Sequence, residues 1–119
     1  MATSVDPDFR ARLAALNEKF AATVPVTMEK ITQALAACTA GGQGVAPPEG
    51  ALHQLHELLH GVAGSAGTFG FSTLGQEARR VEQMVRAAMA GDAGWPPVVP
   101  EVEKLLRWAA VDARATSYE

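Results

Sequence analysis

The chain has 119 residues, 48% of them hydrophobic, and a formal net charge of −3, which suits one domain with one core. The basic residues are scattered rather than clustered, which argues against nucleic-acid binding, and no apolar run approaches the ~20 residues of a membrane span or the pattern of a signal peptide. With Cys38 as the single cysteine, no disulfide can form within the chain, and we expect a soluble cytoplasmic protein with neither nucleic-acid nor membrane partners.

The first forty residues show helical periodicity on both sides of a proline. Four large apolar side chains recur at three- and four-residue spacing and share one helix face: Phe9, Leu13, Leu16 and Phe20. Asp6 and Pro7 suit the start of this helix, and Pro25 is expected to break or kink it. A second apolar series follows the proline: Met28, Ile31, Leu35 and Cys38. The glycines and prolines of residues 41–48 then predict a loop.

Three further amphipathic helices are predicted. The first follows two prolines and carries an apolar face of five side chains: Leu52, Leu55, Leu59, Val62 and Ala66. The next begins near Ser72, and its apolar face also has five members: Phe71, Leu74, Ala78, Val81 and Val85. The last follows residues 95–97 and begins with a mostly apolar series: Val98, Val99, Val102, Leu105, Leu106, Trp108 and Ala109.

No segment shows the two-residue alternation of a β-strand, and no hairpin dipeptide lies between β-branched runs. The predicted fold class is all-α: an antiparallel four-helix bundle with an additional N-terminal or broken helix, about five amphipathic helices in all. We expect a single domain over residues 1–119, frayed at 1–5 and 115–119, that is stable as a monomer.

All three histidines lie on the predicted helix that follows the loop. At about 100° per residue, His53, His56 and His60 fall on an arc beside the apolar face. That arc continues into Gly64 and Gly67, although glycine in a helix costs about 1 kcal/mol relative to alanine. Such glycines are tolerated where another segment or a partner approaches closely. Gly64, one turn beyond His60, would leave the imidazole open to an incoming active site.

A neutral imidazole is a good nucleophile near neutral pH, and its attack on a phosphoryl group gives a phosphoramidate that can pass the group on. One ring nitrogen must then be free, while a hydrogen bond to the other sets the tautomer. Glu82, on the polar flank of the following helix, is the candidate partner of His60. The residues alone leave open whether the small side chains serve this chemistry or the close packing of helices.

The run HGVAGSAGTFGF over residues 60–71, with Leu74, Ala78 and Glu82 after it, resembles the histidine phosphotransfer (Hpt) domain. The positions that match the family signature are His60, Val62, Gly64, Gly67 and Gly70, and the similarity of the core motif spans about residues 52–85. The resemblance implies a four-helix bundle in which His60 is the exposed phospho-accepting residue of a multistep phosphorelay. It also implies response-regulator receiver domains, a hybrid histidine kinase or both as partners, with Mg²⁺ brought by the receiver and no cofactor bound by this chain.

The family often carries lysine three residues after the histidine, whereas this sequence has Ala63. Arg79 or Arg86 on the next helix would then supply the cation, although Arg86 is also spaced for an ion pair with Glu82. The resemblance further implies that Gly64 keeps the imidazole accessible and that Glu82 lies close to it. We interpret the other two histidines as surface residues that flank the docking site. The candidate docking residues are His56, Glu57, Arg79 and Arg86.

Two other functions are compatible with the sequence. A helical adaptor could bind a partner through the same glycine-rich face without being phosphorylated. A metal site could use His53, His56 and His60 with Glu57 nearby, but the outer two histidines lie about 10 Å apart along a straight helix. An autonomous ATP-dependent kinase is not expected, since the chain has no GxxxxGK[ST] loop. Zinc titration followed by calorimetry would test the metal site, and label transfer from a phosphorylated receiver domain would distinguish phosphotransfer from an adaptor role.

Overall fold

The computed structural model describes residues 6–42 and 44–119, so the expected fraying of residues 1–5 and the conformation of Gln43 in the predicted loop lie outside it. The described residues form four α-helices and one short 3-10 helix, without a strand. Their order along the chain is α1 (Pro7–Thr39), α2 (Glu49–Ser65), the 3-10 helix (Ala66–Phe69), α3 (Ser72–Ala90) and α4 (Val98–Asp112). The prediction of an all-α four-helix bundle is confirmed.

The two helical segments predicted on either side of Pro25 are one continuous helix, α1, of 33 residues. A proline inside a helix removes one backbone hydrogen bond and typically costs about 3 kcal/mol. Pro25 itself faces solvent, whereas Val24 and Met28 on its two sides are buried. Burial of both flanking turns against the same bundle therefore outweighs the local cost, and the expected break is wrong.

The N-terminal part of α1 extends beyond the other helices. A helix of 33 residues is about 50 Å long, while α2 has 17 residues. Residues 7–16 are accordingly exposed at every position, including Phe9, Leu13 and Leu16 of the predicted apolar face. The periodicity correctly identified one face of the helix, but only from Phe20 onwards does that face meet the rest of the bundle.

The apolar faces predicted for α2 and α3 form the centre of the core. All ten of their predicted members are buried: Leu52, Leu55, Leu59, Val62, Ala66, Phe71, Leu74, Ala78, Val81 and Val85. Helix α4 contributes Val98, Val102 and Leu105, and α1 contributes Ile31 and Cys38. Burial raises the pKa of the Cys38 thiol, which suits a packing role rather than a reactive one.

Helices α2 and α3 are joined by the 3-10 helix and run antiparallel. Gly70 ends the 3-10 helix at φ 88°, a left-handed conformation that glycine adopts without strain. The Phe71 amide then donates to the Ala66 carbonyl at 2.8 Å. This tight reversal leads α3 back along α2.

Gly75 of α3 packs closely against the 3-10 helix that follows α2. A Cβ atom built on Gly75 would lie 3.3 Å from the Gly67 nitrogen and 3.5 Å from the Ala66 Cβ. Gly75 is buried, so a larger side chain would have to separate the two segments. This contact was not predicted from the sequence, although a glycine within the apolar face of α3 can indicate a close approach of another segment.

We expect Gly75→Val to lower the free energy of unfolding by about 1–3 kcal/mol, because overpacking forces the backbone to shift. Urea denaturation followed by circular dichroism would measure it. Gly61→Ala is the matched control: a Cβ on Gly61 meets nothing within 4 Å, so a gain of up to about 1 kcal/mol is expected from helix propensity. Unfolding midpoints that shift in the same direction and by the same amount in the two variants would contradict the close approach at Gly75.

Residues 115–119 lie beyond α4, outside any helix, and pack back on the bundle. Trp108 donates its indole N–H to the Ser117 carbonyl at 2.8 Å, and Thr73 of α3 donates to the Thr116 carbonyl at 3.3 Å. The half-buried Tyr118 ring packs edge-on against Trp108 with centroids 5.2 Å apart. These contacts connect the C-terminal segment to both α3 and α4.

Candidate functional site

His60 lies on the outer face of α2, directly after the buried Leu59. Its side chain is 65% exposed, and its Nδ1 lies 3.7 Å from Oε1 of Glu82 on α3. This distance exceeds that of a hydrogen bond, so the expected hydrogen bond between Glu82 and His60 is not formed. The ring nevertheless has its Nδ1 edge towards the carboxylate, and Nε2 is therefore the nitrogen available to an approaching group.

The Glu82 carboxylate is buried between α2 and α3, with only 5% of its side chain exposed. It does not lie on the polar flank of α3 where the sequence analysis placed it. Its Oε2 atom is 2.8 Å from Nε2 of His56 and 3.4 Å from Nη2 of Arg86. A carboxylate this deeply buried is tolerated because cationic or hydrogen-bonding groups compensate its lost hydration. Glu82 therefore contacts His56 and Arg86 and also faces His60.

His56 is part of this cluster rather than a surface residue beside it. Its side chain is only 17% exposed, and its ring stacks on that of His60 with centroids 5.9 Å apart and an interplanar angle of 16°. His53 is different, since its Nε2 lies 3.1 Å from Glu57 and both side chains are mostly exposed. The three histidines of the predicted arc therefore differ: His56 is a half-buried member of the cluster, and His60 is accessible. His53 faces solvent in a pair with Glu57.

The surface next to His60 on α2 is bare. Gly64 is exposed one turn beyond His60, and a Cβ built on it would meet nothing within 4 Å. The same holds for Gly67 in the 3-10 helix. None of the described helices fills the space above these glycines, which leaves this side of His60 open.

Two arginines of α3 flank Glu82, one turn before it and one turn after it. Arg79 donates from Nη2 to the Ala63 carbonyl at 3.4 Å. Arg86 lies 3.4 Å from Oε2 of Glu82, the oxygen that His56 also contacts. Ala63 itself is buried and carries no charge, so it does not supply the cation that a lysine would. Arg79 is the cation that α3 brings to the turn following His60.

The His56–Glu82 contact is the main feature of the site that the sequence analysis missed. A signal for it was present, because Glu82 lies within the apolar spacing of α3, between Ala78, Val81 and Val85. A charged residue at such a position is buried only when it is paired. A buried carboxylate without a partner is costly, so the position of Glu82 could have indicated that it pairs with a side chain on α2.

Two further properties concern the described residues alone. They contain no group of three or more His, Cys, Asp or Glu side chains that could hold a metal ion. None of the helices they form has the length and apolar character to cross a membrane.

Comparison with known proteins agrees with this geometry. The family model of the Hpt domain matches residues 15–112, which is most of the 119-residue chain. The match covers α2, α3 and α4 in full and α1 from residue 15 onwards. Searches of curated proteins and of solved structures each give no significant match. The matched segment includes His60, Gly64 and Glu82, and the helical bundle is the fold of this family. The chain belongs to the Hpt domain family.

Proposed function

We propose that this protein is a phosphocarrier of a His–Asp phosphorelay and that His60 is its phospho-accepting residue. Membership of the Hpt family supports histidine phosphotransfer in general. The observation that carries the proposal to His60 is its exposed imidazole, whose Nδ1 edge faces the buried Glu82 carboxylate and leaves Nε2 accessible beside the bare Gly64. His60 would take the phosphoryl group from a receiver-domain aspartate, or from a kinase, and pass it to another receiver.

The proposed transfer forms one bond and breaks one. The lone pair of Nε2 on neutral His60 attacks the phosphorus of the donor's aspartyl phosphate, the N–P bond forms, the acyl O–P bond breaks, and the aspartate leaves as a carboxylate. The ring keeps its proton on Nδ1 and gains positive charge. The Glu82 carboxylate at 3.7 Å stabilises that charge, and its burial strengthens the attraction. Transfer to the next receiver reverses these steps and restores the neutral imidazole.

Arg79 is our candidate for the cation that compensates the phosphoryl charge. The family's usual lysine is replaced by the buried Ala63, and Arg79 reaches the backbone of that residue from α3. Its guanidinium therefore lies one turn from His60 on the accessible side, and such a group suits phosphate oxygens. Arg86 is less suited to this role, since it lies beside the Glu82 oxygen that His56 contacts.

The partners we propose are receiver domains, a hybrid histidine kinase or both, with the protein acting as a cytoplasmic monomer. The chain offers no ATP-binding loop, and Mg²⁺ for transfer would come with the receiver's acidic site. The exposed charged residues around His60 would form the rim that selects partners: Glu57, Arg79 and Arg86. Rim charges chiefly affect the association rate and the choice of partner.

Label transfer tests the proposal. Receiver domains of the host, each phosphorylated with ³²P, are incubated with the protein, and we expect at least one to pass label to it as an acid-labile, base-stable adduct. Peptide mapping should place the phosphoryl group on His60 rather than on His53 or His56. Absence of label with every receiver and histidine kinase of the host would overturn the proposal and favour an adaptor. Label that maps to another histidine would overturn the assignment of the site.

A further inference from the structure

We propose that His56 is a positioning residue, which acts through Glu82 to hold His60 in the tautomer and orientation that leave Nε2 free to attack. The importance of His56 for phosphotransfer rests on the proposed function of His60, whereas its effect on the His60 ring can be measured in the unphosphorylated protein. The basis of this proposal is that the Glu82 carboxylate lies beside both His56 and His60.

The two oxygens of Glu82 have different partners. Oε2 receives the short contact from His56, at 2.8 Å. Oε1 is left to face Nδ1 of His60 at 3.7 Å. Because the two oxygens belong to one planar group, the contact that holds Oε2 also sets where Oε1 lies. The His56 contact therefore determines which atom is presented to the His60 ring.

An ionised carboxylate only accepts hydrogen bonds, so Nε2 of His56 must be the donor in this pair. The contact is short for a nitrogen–oxygen pair, as expected of a charge-assisted hydrogen bond. Both side chains are largely withdrawn from water, with 17% of His56 and 5% of Glu82 exposed. The charged or titratable groups that face His56 are Glu82 and Arg86 from α3 and His60 from its own helix.

Arg86 is the weaker of the two partners of Oε2. Its Nη2 lies at 3.4 Å, and its side chain is mostly exposed, so water competes with the contact. Without His56, this arginine, four residues further along α3, would be the remaining partner of Oε2. The carboxylate would then turn along its own helix, and Oε1 would move away from Nδ1 of His60.

Loss of that carboxylate contact changes the preferred proton position on His60. A carboxylate beside Nδ1 favours the tautomer with the proton on Nδ1 and the lone pair on Nε2. The competing tautomer carries its proton on Nε2 and cannot attack from that atom. The parallel packing of the two rings is a second contact through which His56 restrains the orientation of His60.

A matched pair of variants separates the hydrogen bond from packing. His56→Leu keeps an apolar body of similar size without a donor, whereas His56→Gln retains an N–H donor at a similar reach. Two-bond ¹H–¹⁵N correlation spectra of the unphosphorylated proteins report the tautomer of the His60 ring. We expect the Nδ1–H form to dominate in the wild type and in His56→Gln, and the population of the Nε2–H form to rise severalfold in His56→Leu. Arg86→Met, which removes the other partner of Oε2, should leave the His60 spectrum close to that of the wild type.

The rate of label transfer from a phosphorylated receiver is the second measurement. We expect His56→Leu to slow transfer about tenfold, the size expected for the loss of one hydrogen bond to a charged group, and His56→Gln to restore most of the rate. An unchanged His60 tautomer in a folded His56→Leu protein would overturn the inference, as would an Arg86→Met spectrum that shifts as far as that of His56→Leu. If His56→Leu cannot be folded, a His56→Gln spectrum that differs from the wild type would overturn it, and one that matches would support it. A wild type that accepts no label, with a His60 ring that still responds to His56→Leu, would reject the proposed function and keep the positioning role.

Discussion

Glutamine in place of His60 is expected to abolish the acceptance of label from a phosphorylated receiver domain. The amide of glutamine has no ring nitrogen with a free lone pair, so the N–P bond cannot form. The structure offers no substitute at the same place, because Nε2 of His56 is engaged by Glu82 and His53 faces solvent beside Glu57. Autoradiography after incubation with the donor receiver would show the loss directly.

The same substitution at His53 is the matched control. Both histidines are exposed on α2, so each change to glutamine should alter the free energy of unfolding by no more than about 0.5 kcal/mol. We expect His53→Gln to accept label at close to the rate of the wild type. Label on His60→Gln, or its loss from both variants to the same extent, would contradict the assignment of His60.

The apolar faces of α2 and α3 could be predicted from the sequence because they are local and periodic. Every member of both predicted faces is buried, since 3.6-residue periodicity depends only on neighbours along the chain. Their antiparallel arrangement follows from the short connection at residues 66–71. Composition and periodicity therefore sufficed for the fold class.

The continuity of α1 could not be read in this way. The local sequence predicts a break at Pro25. The helix continues because Val24 and Met28 are buried against helices distant in sequence. The exposure of Phe9 and Leu13 has the same origin. Their spacing shows a common face, but it does not tell how far the rest of the bundle extends along the helix.

The pairing of the side chains around His60 could not be predicted from the sequence. A helical wheel places His56 and His60 on one face of α2, one turn apart, and either could meet Glu82 of α3. The choice depends on the axial offset between the two helices. That offset is set by the turn that ends in Gly70 and by the close packing of Gly75 on Gly67. These are tertiary contacts, so the partner of Glu82 became evident only from the structure.

Gly64→Gln is expected to make the protein more stable and less active at once. Gly64 lies within α2, and a Cβ there meets nothing within 4 Å, so the better helix propensity of glutamine should raise the free energy of unfolding by about 0.5 kcal/mol. The new side chain would stand one turn from His60, on the surface where the receiver must dock. Displacement of a reacting group by about 1 Å can cost about a hundredfold in rate, and we expect label transfer to slow by about that factor.

Gly61→Gln is the control for helix propensity and for the addition of a polar side chain to α2. Gly61 lies on the same helix and is also free of Cβ contacts, but it lines the groove between α1 and α2 with Thr23 and Thr27. Its substitution should bring a similar gain in stability and slow transfer far less than Gly64→Gln does, because the new side chain would enter that groove and leave the surface beside Gly64 open. Slow transfer in Gly64→Gln alone, despite unfolding midpoints that rise in both variants, would show that the glycine beside His60 is kept for access at the expense of helix stability. Equal transfer rates in the two variants would mean that the partner does not approach His60 across Gly64.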